Sequence, residues 1–205
     1  MKKSVIGIVV VGLAGASLGL GYLLKDESAG VKTTYARPDA FAQKGQAMVP
    51  WRNSKADMAA LFPSAPLPDS TSPKVLALSA KRAELLQRLG KDTPLDSNAL
   101  YLYPIDGRGA VLLRRAAGEF GAIEVVLGID ASGKVVGVRL QRHREPPEVE
   151  KALTSSAFLE SFSGKTAQST FELPSDFPSG AQSSARAVLR AVRALLIEYD
   201  AGTRA

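Results

Sequence analysis

The stretch IEVVLGIDASGKVVGVRLQRH, residues 123–143, commits the chain to a sheet. Both of its halves are dense in β-branched residues, and Ser132-Gly133 between them is a turn signal. The stretch therefore predicts two antiparallel strands, Ile123–Ile129 and Val135–Arg142. Upstream, Leu100–Ile105 and Val111–Arg115 read as two more strands joined at Asp106-Gly107, which extends the pair into a meander. Further upstream, Lys74 to Leu89 predicts a helix with Val75, Leu78, Leu85 and Leu89 on one face and Gly90 as its C-cap. Downstream, Glu148–Leu153 and Phe158–Phe162 read as short helices, and a Ser-, Thr- and Pro-rich loop runs from Thr166 to Ser179. The last helix is expected from about Ser183 to Tyr199. Val188, Val192, Leu195 and Tyr199 form its core stripe, with Arg186, Arg190 and Arg193 on another face. The fold class is α+β: an antiparallel sheet covered by helices that come mostly before and after it.

Composition excludes several chemistries. The chain has 205 residues, of which 45% are hydrophobic and 22% charged, the profile of a packed domain rather than a disordered one. It contains no cysteine, which removes disulfides, thiolate nucleophiles, zinc–thiolate sites, iron–sulfur clusters and covalent haem. A single histidine, His143, excludes a multi-histidine metal centre. Any redox chemistry therefore rests on an organic cofactor. The net charge of +6 is scattered without a basic block, so no nucleic-acid partner is expected. No hydrolase elbow, P-loop or calcium loop is present, and no pair of carboxylates is singled out by spacing.

The N-terminus sets the compartment. Lys2 and Lys3 precede an uncharged run from Ser4 to Leu24, and Lys25, Asp26 and Glu27 close it. As a helix the run is about 32 Å long, the thickness of a hydrocarbon core. The reading is a single-pass anchor through the bilayer at residues 4–24, with the N-terminus in the cytoplasm and the rest outside it. Ala14-Gly15-Ala16 offers a signal-peptidase site, but cleavage there would leave Leu18–Leu24 as an apolar stub, and a signal core is usually only about 7–15 residues. Gly15 and Gly19 make a GxxxG pair, a spacing common in membrane helices. The expected organisation is an anchor over 1–25, a juxtamembrane linker over 26–58, a folded domain over 59–200 and a tail over 201–205. Leu61-Phe62-Pro63 follows a short helical pattern, and Pro66, Pro68 and Pro73 mark a surface loop.

Three segments then occur in a telling order. The hairpin ends in His143-Arg144-Glu145-Pro146-Pro147; Phe158-Leu159-Glu160-Ser161-Phe162-Ser163-Gly164-Lys165 follows; and Ser179-Gly180-Ala181-Gln182-Ser183-Ser184 opens the last helix. This resembles the FMN-binding domain of the G subunit of the Rnf electron-transport complex, shared by the C subunit of the sodium-pumping NADH:quinone reductase and by NosR-type membrane regulators. Leu61-Phe62-Pro63 is similar to a segment early in that family, and the likeness runs from about Ala59 to Tyr199. In the family the first motif is His-x-Glu-Thr-Pro-Gly. Here His143, Glu145 and Pro147 are kept, while the threonine and final glycine are not. The late motif is Ser-Gly-Ala-Thr-x-Thr/Ser, whose last hydroxyl can be esterified to the FMN phosphate. Ser179, Gly180 and Ala181 are kept, Gln182 replaces the threonine, and Ser184 falls at the acceptor position. The loss of the threonine weighs against an ester, although a serine hydroxyl is chemically competent.

The residues also speak for themselves. Gly180 and Ala181 allow close approach of backbone to a ligand, Ser183 or Ser184 is expected to cap the helix, and the helix N-terminus with Arg186 suits a phosphate. The same turn also reads as a plain loop and N-cap. His143 and Glu145 either hold the loop beside a flavin ring or pair locally. The resemblance thus implies FMN at Ser179, Gly180, Ala181, Gln182, Ser183, Ser184, His143 and Glu145, in an electron-transfer protein partnered by a membrane redox complex rather than a self-standing enzyme. A non-redox adaptor or assembly subunit that keeps the fold is the alternative.

Overall fold

Five strands run as an antiparallel meander in a computed structural model that describes residues 51, 53–66 and 72–204. They are β1 (Lys74–Ala77), β2 (Ala99–Ile105), β3 (Gly109–Ala117), β4 (Ala122–Asp130) and β5 (Val135–Gln141), and each pairs with the next. The helices are α1 (Ser54–Leu61), α2 (Arg82–Leu89), α3 (Pro147–Leu153), α4 (Ser156–Glu160) and α5 (Gln182–Thr203). Four of the strands lie where the strand-like runs place them, and the class is α+β as expected. The anchor expected at 4–24 and the linker up to residue 50 lie outside the described residues. Among those described, no helix is long and apolar enough to cross a membrane.

Alternation along the strands gives the sheet two working faces. One carries Leu112, Val125, Leu127 and Ile129, and α5 lies across it with Val188, Val192 and Leu195 fully buried. Each such side chain is worth roughly 1.5–3 kcal/mol of transfer free energy, so this layer is the main source of stability. Phe158 and Phe162 close one end of it, their rings 5.2 Å apart. Gly164 N–H donates to the Val135 carbonyl and Val135 N–H to that of Lys165, which covers the start of edge strand β5. The Phe158–Lys165 segment is therefore core and edge protection.

The other face is covered by α1. Met58 and Phe62 join Tyr103, Val111 and Val126 in a second, smaller core. The cross-strand pair Gly128 and Gly137 leaves a hollow that Leu61 fills: a Cβ at Gly137 would lie 2.9 Å from Leu61 Cδ2. Asp57, 2% exposed, accepts hydrogen bonds from Trp51 Nε1 at 2.7 Å, Arg139 Nε at 2.8 Å and the Gln141 amide. Leu61-Phe62-Pro63 is thus the end of a helix bolted to the sheet. Helix α1 begins at Ser54 and α5 continues to Thr203, so helix lies on both sides of the boundaries read near 58 and 200.

One element departs from the sequence reading. Lys74–Leu89 is not a continuous helix: Lys74–Ala77 is an edge strand paired with β2, Ser79–Lys81 is a 3-10 turn, and α2 starts at Arg82. Leu78, Leu85 and Leu89 do share the core, but Val75 is 55% exposed. Short apolar runs fit helix and strand periods alike, and pairing with Ala99–Leu102 settles the matter. Arg193 of α5 caps α2, its guanidinium donating to the carbonyls of Arg88 and Leu89.

Candidate functional site

The chain enters α5 through a 3-10 turn, Ser179–Ala181. Ala181 N–H donates to the Pro178 carbonyl at 3.0 Å and Gln182 N–H to that of Ser179. Backbone bonds thus supply the entry. The expected capping by Ser183 or Ser184 does not occur, because α5 starts at Gln182 and both serines lie within its first turn, with no side-chain cap. Ser179, Gly180 and Ser183 are exposed, and a Cβ at Gly180 would meet nothing within 4 Å among the described residues. Gln182 folds back, donating to the Phe177 carbonyl at 3.2 Å, and its own carbonyl oxygen accepts from exposed Arg186 at 3.2 Å.

Ser184 points the other way. It is 0% exposed, its hydroxyl donates to Glu145 Oε2 at 2.9 Å, and its oxygen accepts the Glu119 N–H at 2.9 Å. Glu145 is itself buried, 6% exposed, and its second oxygen has no hydrogen-bond partner among the described residues. That oxygen abuts Gly118, where a Cβ would lie 2.3 Å from it. A side chain there would displace the Glu145 carboxylate and Ile123 Cδ1. Three segments distant in sequence therefore meet at one buried hydroxyl: the β3–β4 turn, the loop after β5 and the first turn of α5.

His143 stands slightly apart. Its Nε2 lies 3.7 Å from Glu150 Oε1, while Nδ1 is buried without a hydrogen-bond partner among the described residues. The preceding residue, Arg142, has a φ of 37°, a conformation uncommon for a non-glycine residue, and its guanidinium reaches Glu124. Strain and an unsatisfied ring nitrogen thus coincide in the loop that carries Glu145, the kind of clustering found where a loop is held for a purpose.

Whether FMN fits depends on which half of the turn is considered. The exposed half, with Ser179, Gly180, Ser183 and Arg186 at the start of a 22-residue helix, suits a phosphate by charge and access. The buried half does not suit an ester: the Ser184 hydroxyl is inaccessible and already donates and accepts. Glu145 is buried against Ser184 and Gly118. A separate recess, lined by Asp96, Ser97, Tyr103, Arg114 and Glu198 among others, lies at the far end of α5. Ser184 and Glu198 are separated by about 21 Å at 1.5 Å per residue, so this recess is no part of the turn.

Sequence reasoning named both Ser184 and Glu145, and the structure brings them into contact. It missed Gly118, Glu119 and Phe120, for which the only available signal was the glycine pair 118 and 121 bracketing a turn.

No protein-family model matches the chain. It is 32% identical over 127 residues to the G subunit of the ion-translocating oxidoreductase complex from two strains of Pseudomonas aeruginosa. The match covers 55% of this chain and 58% of those proteins, so the chain spans somewhat more than half the length of the curated relatives it matches.

Proposed function

We propose that this chain is the periplasmic, membrane-tethered component of an ion-translocating membrane redox complex, carrying FMN non-covalently at the first turn of α5. The observation that carries the reading is the meeting of the Glu145 loop with the Ser179–Ser184 turn, joined by Ser184 and Glu145, in a chain 32% identical to one component of such a complex. Ser179, Gly180, Ser183 and Arg186 hold the phosphate, and Gln182 keeps Arg186 at the turn. FMN supplies the electron transfer. The protein binds it, orients it and shields it, which requires no acid or base from His143. Residues 4–24 tether the domain to the bilayer, and the other components of the complex are its partners.

The test is the flavin content of the full chain purified from its native membranes. Flavin absorbance that is released on denaturation, with an intact mass equal to that of the polypeptide, is the expected result. A mass increase of one FMN less water that disappears in Ser184→Ala would overturn non-covalent binding. Absence of any flavin would remove the electron-carrier reading altogether. The second reading, an adaptor that keeps the fold without flavin, is favoured by the burial of Ser184 and by Gln182 at the threonine position. It requires a flavin-free protein whose deletion still prevents assembly of the complex.

A further inference from the structure

The β3–β4 turn, Gly118-Glu119-Phe120-Gly121, carries Phe120 with 46% of its surface exposed. Single exposed hydrophobic residues are ordinary. This one is unusual in how firmly its backbone is fixed. Gly118 N–H closes the turn on the Gly121 carbonyl at 2.9 Å. Glu119 N–H, one residue away, is held by Ser184 of α5. On the other side the stem of Arg144 packs against Gly121, where a Cβ would meet Arg144 Cδ at 3.5 Å, and Arg144 is exposed. A half-exposed aromatic ring is thus mounted on a pinned turn between the first turn of α5 and the loop that carries Arg144 and Glu145.

We propose that Phe120 is the platform on which the ring system of a ligand anchored at residues 179–183 stacks, and that the Glu119–Ser184–Glu145 chain of hydrogen bonds is the device that positions it. The inference rests on the FMN reading above and adds to it a ring-contacting residue and a positioning residue. It also accounts for Ser184: the hydroxyl is spent on holding the turn, so it is not an acceptor for the cofactor. Ring-and-phosphate ligands are the class such a site selects, the phosphate by the turn and Arg186, the ring by Phe120.

Titration of the full chain in detergent with FMN and, separately, with riboflavin tests this, read by flavin fluorescence. Wild type is expected to bind both, with quenched emission from the stacked ring. Phe120→Ala lowers affinity for both by on the order of tenfold, as loss of one aromatic stack does, and restores emission, whereas Phe120→Trp retains both properties. Arg186→Ala weakens FMN and leaves riboflavin unchanged. Ser184→Ala lowers affinity by less than Phe120→Ala, and hydrogen exchange at the Glu119 amide accelerates, a readout that a general loss of stability spread over the sheet would not confine to one turn. If Phe120→Ala binds FMN with unchanged affinity and quenching, the platform is refuted while the flavin reading stands. Loss of complex assembly in Phe120→Ala with flavin binding intact refutes it too and makes the turn a protein contact. If wild type binds no FMN, the flavin reading itself has failed.

Discussion

A carboxylate is buried against each end of α5, and the two ends satisfy it differently. At the C-terminal end Glu198, 5% exposed, meets Arg114 of β3 at 2.6 Å, and Arg114 also holds Asp96 at 2.8 Å and the Pro94 carbonyl at 2.9 Å. At the N-terminal end Glu145 meets the Ser184 hydroxyl, which in turn holds a backbone amide. The first arrangement matches charge with charge inside the core; the second ties loop to loop through one neutral hydroxyl. A buried ion pair fixes β3 against α5 but carries a large desolvation cost. The hydroxyl latch is a lighter device, suited to a turn whose position matters more than its contribution to stability. The end that holds the light latch is the end with the exposed turn, Phe120 and Arg186.

The largest expected effect comes from breaking the ion pair. Arg114→Leu leaves Glu198 buried without its cation, and about 3–5 kcal/mol is lost on that account, measurable by urea unfolding. The double variant Arg114→Leu, Glu198→Leu should recover most of it, since well-packed apolar residues often replace a buried pair at little cost. A double variant as unstable as the single would show that Arg114 acts through Asp96 and the Pro94 carbonyl instead. Next, Ser184→Ala strands Glu145 Oε2 and the Glu119 amide and should cost about 1–3 kcal/mol. If its cost equals that of Arg114→Leu, the contrast between the two ends disappears.

The smallest effect is a slope with pH. Burial pushes the Glu198 carboxyl above its ordinary value of 4.5, against the opposing pull of Arg114. A carboxyl that keeps its proton longer in the folded state contributes stability below its unfolded pKa and loses it as pH rises through the raised folded value. Glu198→Gln removes that loss. Its stability relative to wild type should therefore rise as pH increases from about 4.5; a difference independent of pH would show that folding does not shift the Glu198 carboxyl.

Much of the fold was legible. The strand-like runs between residues 100 and 142 give four strands, and the turn signals Asp106-Gly107 and Ser132-Gly133 fall where the chain reverses. The stripe Val188, Val192 and Leu195 faces the core because a 3.6-residue period is a property of the helix itself. The motif order singled out Ser184 and Glu145 without revealing what each does. The edge strand at Lys74–Ala77 was hidden because its partner, Ala99–Leu102, lies more than twenty residues away and four apolar-rich residues carry no period of their own. The role of Leu61 was hidden as well, since Gly128 and Gly137 form a hollow only when β4 and β5 are in register.

Local pattern was enough for four of the five strands, the long final helix and the apolar run at residues 4–24, because each depends on a period or a composition that neighbouring residues carry. Packing had to settle that Ser184 faces inward, that Glu145 is its partner and that the same hydroxyl holds the Glu119 amide of the β3–β4 turn. Those contacts join residues 39 and 65 positions apart. A hydroxyl read locally can cap, bind or esterify, and only the three-dimensional arrangement of β3, β4 and α5 selects which groups lie within hydrogen-bond reach of it.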